Sequence, residues 1–277
     1  MQLRRPAWAL IAVIATLLRP GVLHAEDALA LPEWVLSAGI PLLYHDGEPA
    51  PAWSVTALAA METLPRYAGD DVLRTRAFPL LDVRYKDLAF ASAIEGLGVN
   101  LLHGRTCRAG VTLNFDPGRS PADAPRLRGT RRLPPSPDAR AFVDYVIFPA
   151  VFRAELRHTL AGAPGWVMDA AAYAPVLATE QLTAFVGLSA TVADHTWMNA
   201  RFGLTPSQAA AAGLPAYEAP AGLRSAALAA DLAWTPRGPW LLNLTVSAQR
   251  LGAAAGDSPL TVTRIEPALS LSLGYTF

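Results

Sequence analysis

The chain has 277 residues, of which 52% are hydrophobic and only 17% are charged, and its basic and acidic side chains are equal in number. Soluble domains carry about 25% charged residues, yet beyond residue 25 no uninterrupted apolar stretch reaches the roughly 18 residues that a spanning helix needs. The composition therefore argues against a nucleic-acid-binding protein and against a helical membrane protein.

The first 25 residues have the pattern of a secretory signal peptide. Arg4 and Arg5 precede the apolar run ALIAVIATLL, and a small-residue cleavage region follows it. We predict cleavage after Ala25, with a second acceptable site after Ala30, so that residues 26–277 form one exported domain. Without residues 1–25 the chain has 20 basic and 23 acidic residues, which makes nucleic acid an unsuitable partner.

Alternation of apolar and polar residues dominates the rest of the sequence. Leu81 and Val83 alternate with Asp82 and Arg84, and comparable runs follow further along the chain. A helical period would mix both kinds of residue on every face, so the pattern predicts β-strands. In chain order the predicted strands are 33–43, 53–62, 74–86, 88–102, 106–116, 139–149, 150–161, 166–176, 181–201, 222–235, 239–251 and 261–277.

Two features predict that the apolar faces of these strands contact lipid. The polar faces are rich in charge, as the wet interior of a membrane barrel is, and they carry Asp82, Arg84, Lys86, Asn114, Arg153, Glu155 and Arg157. Aromatic residues lie near strand ends, where membrane barrels have interfacial girdles; they include Trp34, Trp53, Trp166, Trp197, Trp234 and Trp240.

Strands in hydrocarbon must all be paired, because no water is present to satisfy a free edge. We therefore predict an all-β fold, a closed antiparallel transmembrane β-barrel of about 12 strands. A barrel of 10 strands is the alternative, because Pro41 interrupts the first predicted strand.

The predicted connections fall into two groups. If both termini lie on the periplasmic side, the long connections 117–138, 202–221 and 252–260 face outside, and the short turns at 103–105, 177–180 and 236–238 face the periplasm. The segment 63–73 is then the longest on the periplasmic rim.

Two of the long connections have local signals of their own. The arginine-rich and proline-rich loop 117–138 is predicted to be extended and solvated, with contact to lipopolysaccharide phosphates as the alternative. In the loop 202–221, Thr205, Pro206 and Gln208 have the spacing of a helix N-terminus, and Gly213 can end the helix.

Several stretches, spread over nearly the whole mature chain, carry a family resemblance. They are RYAGDDVLRTRAFPLLDVRYKD at 66–87, IEGLGVNLL at 94–102, AGVTLNFDPGR at 109–119, PRLRG at 125–129, RFGLTPSQAAAAGLPAYEAPAGLRSAAL at 201–228, DSPL at 257–260 and the terminal LSLGYTF. With these motifs the chain resembles the MipA/OmpV family of Gram-negative outer-membrane proteins. The resemblance implies an outer-membrane barrel that acts as a scaffold, linking a lytic transglycosylase to a penicillin-binding protein in peptidoglycan synthesis and remodelling. Other branches of the family resemble porins or adhesive surface proteins.

Other functions have less support in the sequence. An outer-membrane enzyme needs a base such as histidine beside a nucleophile or an acidic group, and Asp194 with His195 is the nearest approach to such a pair. We interpret this pair as the end of a strand, and we predict no catalytic, cofactor or metal site. A narrow diffusion channel stays open as an alternative function, because the lumen charges could either pass solutes or cross-link one another.

Two groups of residues are candidate functional sites. Tyr67, Asp70 and Asp71 are candidate contacts for the murein enzymes, although Gly69 and the aspartates also have the composition of a plain turn. The chain ends LSLSLGYTF, and aromatic-ended terminal strands of this kind resemble the signal by which outer-membrane barrels are recognised for assembly. We therefore predict that Tyr275 and Phe277 form an assembly signal, with outer-membrane lipid and lipopolysaccharide as the surroundings.

Overall fold

A computed structural model of the chain describes residues 52–104, 106–147 and 149–277. The predicted signal peptide, the predicted strand 33–43 and Trp34 lie outside the described residues. Within the described part most residues are in β-strands, and the helices are short segments of the connections. None of these helices is long and apolar enough to cross a membrane.

Twelve antiparallel strands close into a barrel. Each strand pairs with the next one along the chain, and the first pairs with the last to complete the ring. The strands are β1 (Ser54–Pro65), β2 (Leu73–Tyr85), β3 (Ala89–Ser92), β4 (Gly96–His103), β5 (Cys107–Asp116), β6 (Ser136–Ile147), β7 (Ala150–Thr159), β8 (Gly165–Ala178), β9 (Leu182–Ala193), β10 (Gly222–Trp234), β11 (Trp240–Leu251) and β12 (Ile265–Thr276). The predicted fold class, a closed antiparallel barrel of about 12 strands, is confirmed.

The two ends of the barrel differ in the length of their connections. We call one end the short-turn end; it holds the turns after β2, β4, β6, β8 and β10, together with the C-terminal residue. The other end, the long-loop end, holds the connections 66–72, 117–135, 160–164, 194–221 and 252–264. Its helices are α1 (His195–Phe202), α2 (Pro206–Ala212) and α3 (Ala253–Gly256), with a 3-10 turn at Pro125–Leu127.

Side chains alternate between the two faces of the barrel wall, as the geometry of a strand requires. Leu113 points outward and is 50% exposed, whereas the preceding Thr112 points inward and is buried. In β12 the outward Leu271 lies between Ser270 and Ser272, which are each only 1% exposed. An apolar outer surface around a polar interior is the arrangement of a membrane barrel.

The segment predicted as one strand at 88–102 is a hairpin of two strands, β3 and β4. Its turn lies partway up the wall, because β3 pairs only with residues 82–85 of β2. Ser92 Oγ accepts hydrogen bonds from the backbone N–H groups of Ile94 and Glu95 at 3.2 and 3.3 Å, and Gly96 adopts φ +90°. A serine side chain that bonds its own backbone stabilises a tight turn without the usual proline or Asn-Gly signal.

This hairpin changes the end at which an early connection lies. The predicted strand 33–43 lies outside the described residues, and the twelve strands described include one more at 88–102 than was predicted. The connection 66–72 therefore follows the first strand of the barrel and lies at the long-loop end. The prediction that the segment 63–73 lies at the same end as the short turns is wrong.

The loop helix predicted within 202–221 is confirmed as α2. Its N-cap is Thr205, and the side chains of Thr205 and Gln208 exchange hydrogen bonds with each other's backbone N–H groups as a capping box. Gly213 ends the helix in the left-handed conformation, at φ +67°. Local capping residues thus set both ends of this helix, and Ala209 packs it into the loops around it.

Two inward glycines make room for aromatic rings in the lumen. Gly98 of β4 pairs with Phe90, and Gly110 of β5 pairs with Phe142. A Cβ atom at Gly98 would collide with the Phe90 ring, and one at Gly110 would lie 2.9 Å from Phe142 Cζ and closer still to the backbone oxygen of Val99. The missing side chains therefore let two large rings pack inside the wall.

Replacing Gly110 tests this close packing. We expect Gly110→Ala to destabilise the barrel by about 1–3 kcal/mol, since overpacked sites cost this much. Gly104→Ala is the matched control in the β4–β5 hairpin, because a Cβ there would meet nothing closer than 3.7 Å. Urea titration of the barrel in lipid vesicles, read by heat-modifiable mobility, measures both variants, and equal midpoints would contradict the packing.

Candidate functional site

A ladder of paired charges, here called the lumen network, crosses the barrel interior from β2 to β7. Its members alternate in sign, and each carboxylate contacts at least one guanidinium group. In order they are Asp82, Arg84, Glu95, Arg108, Asp144, Arg153, Glu155, Arg140 and Asp138, joined by N–O distances between 2.8 and 3.6 Å. Glu95 comes from the turn between β3 and β4, so the short hairpin supplies the charge that joins β2 to β5.

Aromatic rings fill the space between these guanidinium groups. Arg84 and Arg108 lie 5.4 and 5.2 Å from the centre of the Phe90 ring. Arg108 and Arg153 lie 4.8 and 5.2 Å from the centre of the Phe142 ring. Cation–π contacts contribute about 0.5–2 kcal/mol each, with the higher values in desolvated sites. The lumen charges thus cross-link one another, which is one of the two arrangements that the sequence left open.

The predicted lumen charges have two different outcomes. Arg84, Arg153 and Glu155 belong to the lumen network, and Arg157 pairs with a carboxylate of β8 at 3.4 Å. Lys86 does not face the lumen, because it lies exposed in the turn after β2 with φ +49°. The alternation in the sequence continues past the end of this strand, where the period of two no longer sets the direction of a side chain.

Loops from opposite sides of the barrel meet over its mouth at the long-loop end. The β5–β6 and β11–β12 connections leave the twelve-strand ring on opposite sides, yet Leu127 and Leu260 lie in one buried apolar cluster. Arg126 Nε also donates to the backbone oxygen of Pro259 at 2.8 Å. The β1–β2 and β9–β10 connections join the same assembly, and we call these four connections the loop cap.

The interior of the loop cap is closely packed. Its large buried apolar side chains include Tyr67, Leu127, Met198, Phe202, Leu204 and Leu260. The Tyr67 hydroxyl donates to the backbone oxygen of Leu260 at 2.9 Å, and the Ser258 hydroxyl donates to that of Phe202 at 2.6 Å. The prediction of a solvated loop at 117–138 is wrong, because Leu127 anchors that loop in this interior. Phosphate binding by the outer arginines of the loop stays a prediction.

Arg201, in the last turn of α1, is a buried cation at the centre of the loop cap. Its side chain is 2% exposed, pairs with Asp116 at the end of β5, and lies 4.1 Å from the centre of the Trp197 ring. Arg119 Nη1 donates to the backbone oxygen of Arg201 at 2.7 Å. The prediction that Trp197 belongs to an interfacial girdle is wrong, since its indole is buried in the loop cap.

The candidate partner contacts lie together in the β1–β2 connection, at the long-loop end. Tyr67 and Asp70 are 1% and 3% exposed, and Arg66 Nε donates to Asp70 Oδ2 at 2.6 Å. Burial, and then the neighbouring Asp70 carboxylate, raise the pKa of Tyr67 to about 12. Asp71 is exposed. Contact with a partner stays a prediction for the three residues. The hydroxyl group of Tyr67 joins two connections of the loop cap, whereas the side chain of Asp70 pairs with Arg66 inside its own connection.

Asp194 and His195 do not form a catalytic pair. Asp194 Oδ1 accepts from the backbone N–H of Trp197 at 2.7 Å and Oδ2 from that of Trp166 at 2.9 Å. These bonds cap α1 and end the strand that was predicted to reach residue 201. His195 Nε2 lies instead 3.5 Å from an exposed carboxylate of the β9–β10 connection. In the ranges that the structure describes, no group of three or more histidine, cysteine or acidic side chains could hold a metal ion.

Tyr275 and Phe277 lie in an aromatic cluster at the short-turn end. The Tyr275 ring is 5.0 Å from that of Trp240 and 4.8 Å from that of Phe277, and Trp53 lies 4.7 Å from Tyr85 nearby along the ring of strands. The backbone N–H of Phe277 donates to β1 at 2.9 Å, so the last residue extends the pairing that closes the barrel. Such rings suit a membrane interface, and the assembly signal stays a prediction.

Several charged residues of these sites have no counterpart among the sequence predictions; they are Glu95, Arg108, Asp138, Arg140, Asp144 and Arg201. Glu95 falls inside a predicted strand, and the signal that could reveal its turn is a serine followed four residues later by glycine, Ser92 and Gly96. Arg201 falls at the end of another predicted strand. There the alternation ends after Asp194, and an aspartate at such a point indicates the N-cap of a helix.

Comparisons with known proteins give one matching family model and several distant structural similarities. The family model described as MltA-interacting protein MipA matches residues 58–277. A sequence search of curated proteins finds no match. Solved structures that resemble the chain include Neisserial surface protein A, an outer-membrane channel from Pseudomonas putida F1 and a bacterial polysaccharide outer-membrane secretin.

These structural similarities are distant. Neisserial surface protein A is 10% identical, and its alignment covers 83% of this chain and 100% of that chain. The channel is 11% identical, with 83% and 98% covered. The secretin is 8% identical, with 80% and 98% covered. The TM-scores are 0.29, 0.42 and 0.44. The assignment of the barrel therefore depends on the strand pairing within this chain.

Removing the buried cation of the loop cap should loosen it. Arg201→Ala leaves the largely buried Asp116 carboxylate without this cation, and such losses cost about 3–5 kcal/mol. Arg264→Ala is the matched control, because its pair with Asp257 lies in the same cap but is about half exposed, and exposed pairs contribute about 0–1 kcal/mol. We expect limited proteolysis to cleave the long loops faster only in Arg201→Ala. Equal cleavage of both variants would show that the buried pair does not hold the cap.

Shortening the chain by one residue tests the assembly signal. We expect deletion of Phe277 to lower the fraction of chains that reach a heat-modifiable barrel, because it removes an aromatic ring and the last hydrogen bond to β1. Phe277→Tyr is the control, since it keeps both. Normal assembly of the shortened chain in a Gram-negative host would remove the basis for this prediction.

Proposed function

We propose a scaffold function on one premise: the chain belongs to the MipA family, whose model carries the description MltA-interacting protein. In this proposal the barrel lies in the outer membrane and has no enzymatic activity of its own. It binds a lytic transglycosylase of the MltA type and brings it to a penicillin-binding protein, so that cleavage and synthesis of peptidoglycan occur at one place.

The proposed orientation follows the rule for bacterial barrels, in which short turns face the periplasm and long loops face outside. Murein enzymes act in the periplasm, so their docking surface is the short-turn end. Exposed charges at this end include Asp87 after β2 and Glu180 after β8. The predicted contacts Tyr67, Asp70 and Asp71 lie at the opposite end and serve the proposed scaffold less well.

One observation favours a scaffold over a channel. Leu127 and Leu260, from connections on opposite sides of the ring, pack together over the barrel mouth. A diffusion channel needs a continuous water path, and the loop cap lies across the long-loop end of any such path. A narrow channel is the second candidate, and the polar lumen is the observation that favours it.

Charge reversals at the two ends test where the partner docks. The variant Asp87→Lys with Glu180→Lys changes the short-turn end, and the variant Asp71→Lys with Glu218→Lys makes the matched change among exposed acids of the long-loop end. We expect the first to weaken binding of a purified MltA-type transglycosylase on the order of tenfold, because unfavourable charges at an interface cost of order 1 kcal/mol each. The second should bind as the parent does.

The opposite results are equally informative. Loss of binding only in the long-loop variant would place the docking surface near Asp71 and restore the original contact prediction. Absence of binding by the parent barrel would refute the scaffold. Stable single-channel conductance by that barrel in planar bilayers, together with absent binding, would favour the channel instead.

A further inference from the structure

The β5–β6 connection, residues 117–135, has a buried apolar side and an exposed basic side. Ala124, Leu127 and Leu133 are buried and anchor the connection in the loop cap. Four arginines between these anchors are exposed, and we call their side chains the arginine face; they are Arg126, Arg128, Arg131 and Arg132. The fold thus collects on one surface the charges that the sequence shows only as a run.

The fifth arginine of this connection has a different role. Arg119 is buried, and its Nη1 donates to the backbone oxygen of Arg201 at 2.7 Å. Arg126 also contacts the fold, through its bond to Pro259, but its side chain stays exposed. Packing accounts for a buried arginine, whereas neighbouring exposed cations repel one another. Such a group is stabilised by an anion from outside the chain.

Hydrogen bonds within the connection hold the backbone beneath the arginine face. Arg119 and Leu133 pair at its two ends, with N–O distances of 2.9 and 2.8 Å. The backbone N–H and the hydroxyl group of Thr130 both donate to the backbone oxygen of Leu127, at 3.0 and 2.7 Å. A backbone that is already ordered loses less conformational entropy when its side chains bind a ligand.

Helix α2 supports the same turn from one side. A Cβ atom at Gly129 would lie 2.9 Å from the backbone carbon of Ala211 and from the backbone nitrogen of Ala212. The backbone of the turn therefore packs directly against the end of α2. Arg128 and Arg131, which flank the turn, are both exposed.

The arginine face is a local concentration of positive charge. Four of the seven residues 126–132 are arginines, and the stretch 124–135 contains no acidic residue. Asp123, just before this stretch, accepts a hydrogen bond from the backbone N–H of Ser120 at 2.5 Å. Asp257, in the connection that Arg126 contacts, pairs with an arginine of its own connection. Clustered charge of one sign attracts ligands of the opposite sign.

The arginine face lies just beyond the lipid-facing wall of the barrel. Phe115 of β5 points outward and is exposed, and it is level with Pro137 of β6. Trp166, outward and exposed on β8 at the same end, has the amphipathic side chain that suits a membrane interface. Arg132 is five residues from Pro137, which is at most about 18 Å of chain. A long arginine side chain at this distance reaches the headgroup layer.

We propose that the arginine face binds phosphate groups on the saccharide of lipopolysaccharide. In the orientation proposed above, the long-loop end faces outside, where this phosphorylated glycolipid forms the outer leaflet. A guanidinium group matches two phosphate oxygens at once, and four such groups on one anchored connection bind more than one phosphate of the same saccharide. The proposal shares only this orientation with the scaffold function.

An acidic segment of another protein is the competing occupant, because carboxylates also pair with guanidinium groups. Lipopolysaccharide is favoured by the short distance between Arg132 and the outward Pro137 of the wall. Headgroups of the lipid that surrounds the barrel are already present at this distance. An acidic protein would have to displace them.

Calorimetric titration with a soluble probe tests the arginine face. The probe is deacylated lipopolysaccharide, which keeps the saccharide phosphates, and the barrel is held in nanodiscs of uncharged lipid. Arg131→Gln with Arg132→Gln removes two charges of the face, and Lys86→Gln with Arg237→Gln removes two exposed charges of the short-turn end as the matched control. We expect the first variant to weaken binding on the order of tenfold, because two cations near the anionic ligand are lost. The control should bind as the parent does.

A change of probe tests whether phosphate is the recognised group. Enzymatic removal of the phosphates from the saccharide should weaken binding to the parent at least as much as the arginine variant does. Inorganic phosphate alone should bind more weakly than the saccharide, because it offers one phosphate instead of several. Binding that falls as salt is added would agree with exposed ion pairs.

Photo-crosslinking identifies the occupant in intact cells. With p-benzoylphenylalanine at Arg128 we expect a lipopolysaccharide adduct, and with the same group at Arg237, at the short-turn end, we expect none. A protein adduct alone at Arg128, equal adducts at both positions, or no adduct at Arg128 would overturn the proposal.

The titrations have their own contrary outcomes. Equal binding by the parent and the arginine variant, equal weakening by the control, undiminished binding of the dephosphorylated saccharide, or no binding by a heat-modifiable parent barrel would each overturn the proposal. All the substituted side chains are exposed, and heat-modifiable mobility shows that each variant is folded. None of these measurements involves the transglycosylase, so the scaffold function is tested separately.

Discussion

Pairing between β1 and β12 is the contact on which the rest of the structure depends. It joins eight residue pairs, from Thr56 with Thr276 to Thr63 with Leu269, and it removes the two free edges that hydrocarbon would not tolerate. The same pairing fixes which side chains face inward, because a shift by one residue would turn every side chain of a strand to the other face. The polar lumen and the apolar outer surface both follow from this register.

A ring of twelve strands encloses more space than side chains alone fill, but less than an open porin does. Charges in such a space are expensive unless they are paired, and the lumen network pairs them through Glu95 and the arginines around Phe90 and Phe142. The consequence is a stiff interior. Since the loop cap covers one end, a stiff barrel leaves the short-turn end as a frame of fixed shape, which the proposed scaffold function requires.

Much of the fold could be predicted because local patterns determine it. The alternation in LSLSLGYTF places each side chain of β12, and the capping box of Thr205 and Gln208 specifies α2. The rest could not be predicted because it depends on contacts between distant segments. Leu127 lies in a loop, where no periodic sequence pattern indicates burial. Its burial follows from its contact with a cluster that includes Leu260 of a distant connection. The position of Tyr67 was predicted wrongly for a third reason. The turn between β3 and β4 was not recognised, and one missed strand changes the end at which the connection 66–72 lies relative to the later loops.

The loop cap also has a consequence for the order of events in biogenesis. Its contacts join residues far apart in the chain: Tyr67 and Leu260 are 193 positions apart, and Arg119 and Arg201 are 82 apart. Contacts of such separation carry a large loop-closure cost and form late. The β1–β2 and β11–β12 connections belong to strands on opposite sides of the β1–β12 seam, so closing this seam brings Tyr67 and Leu260 together. A finished cap therefore marks a finished barrel. A protease that cleaves the long loops only while they are unpacked would distinguish chains still being assembled from mature ones.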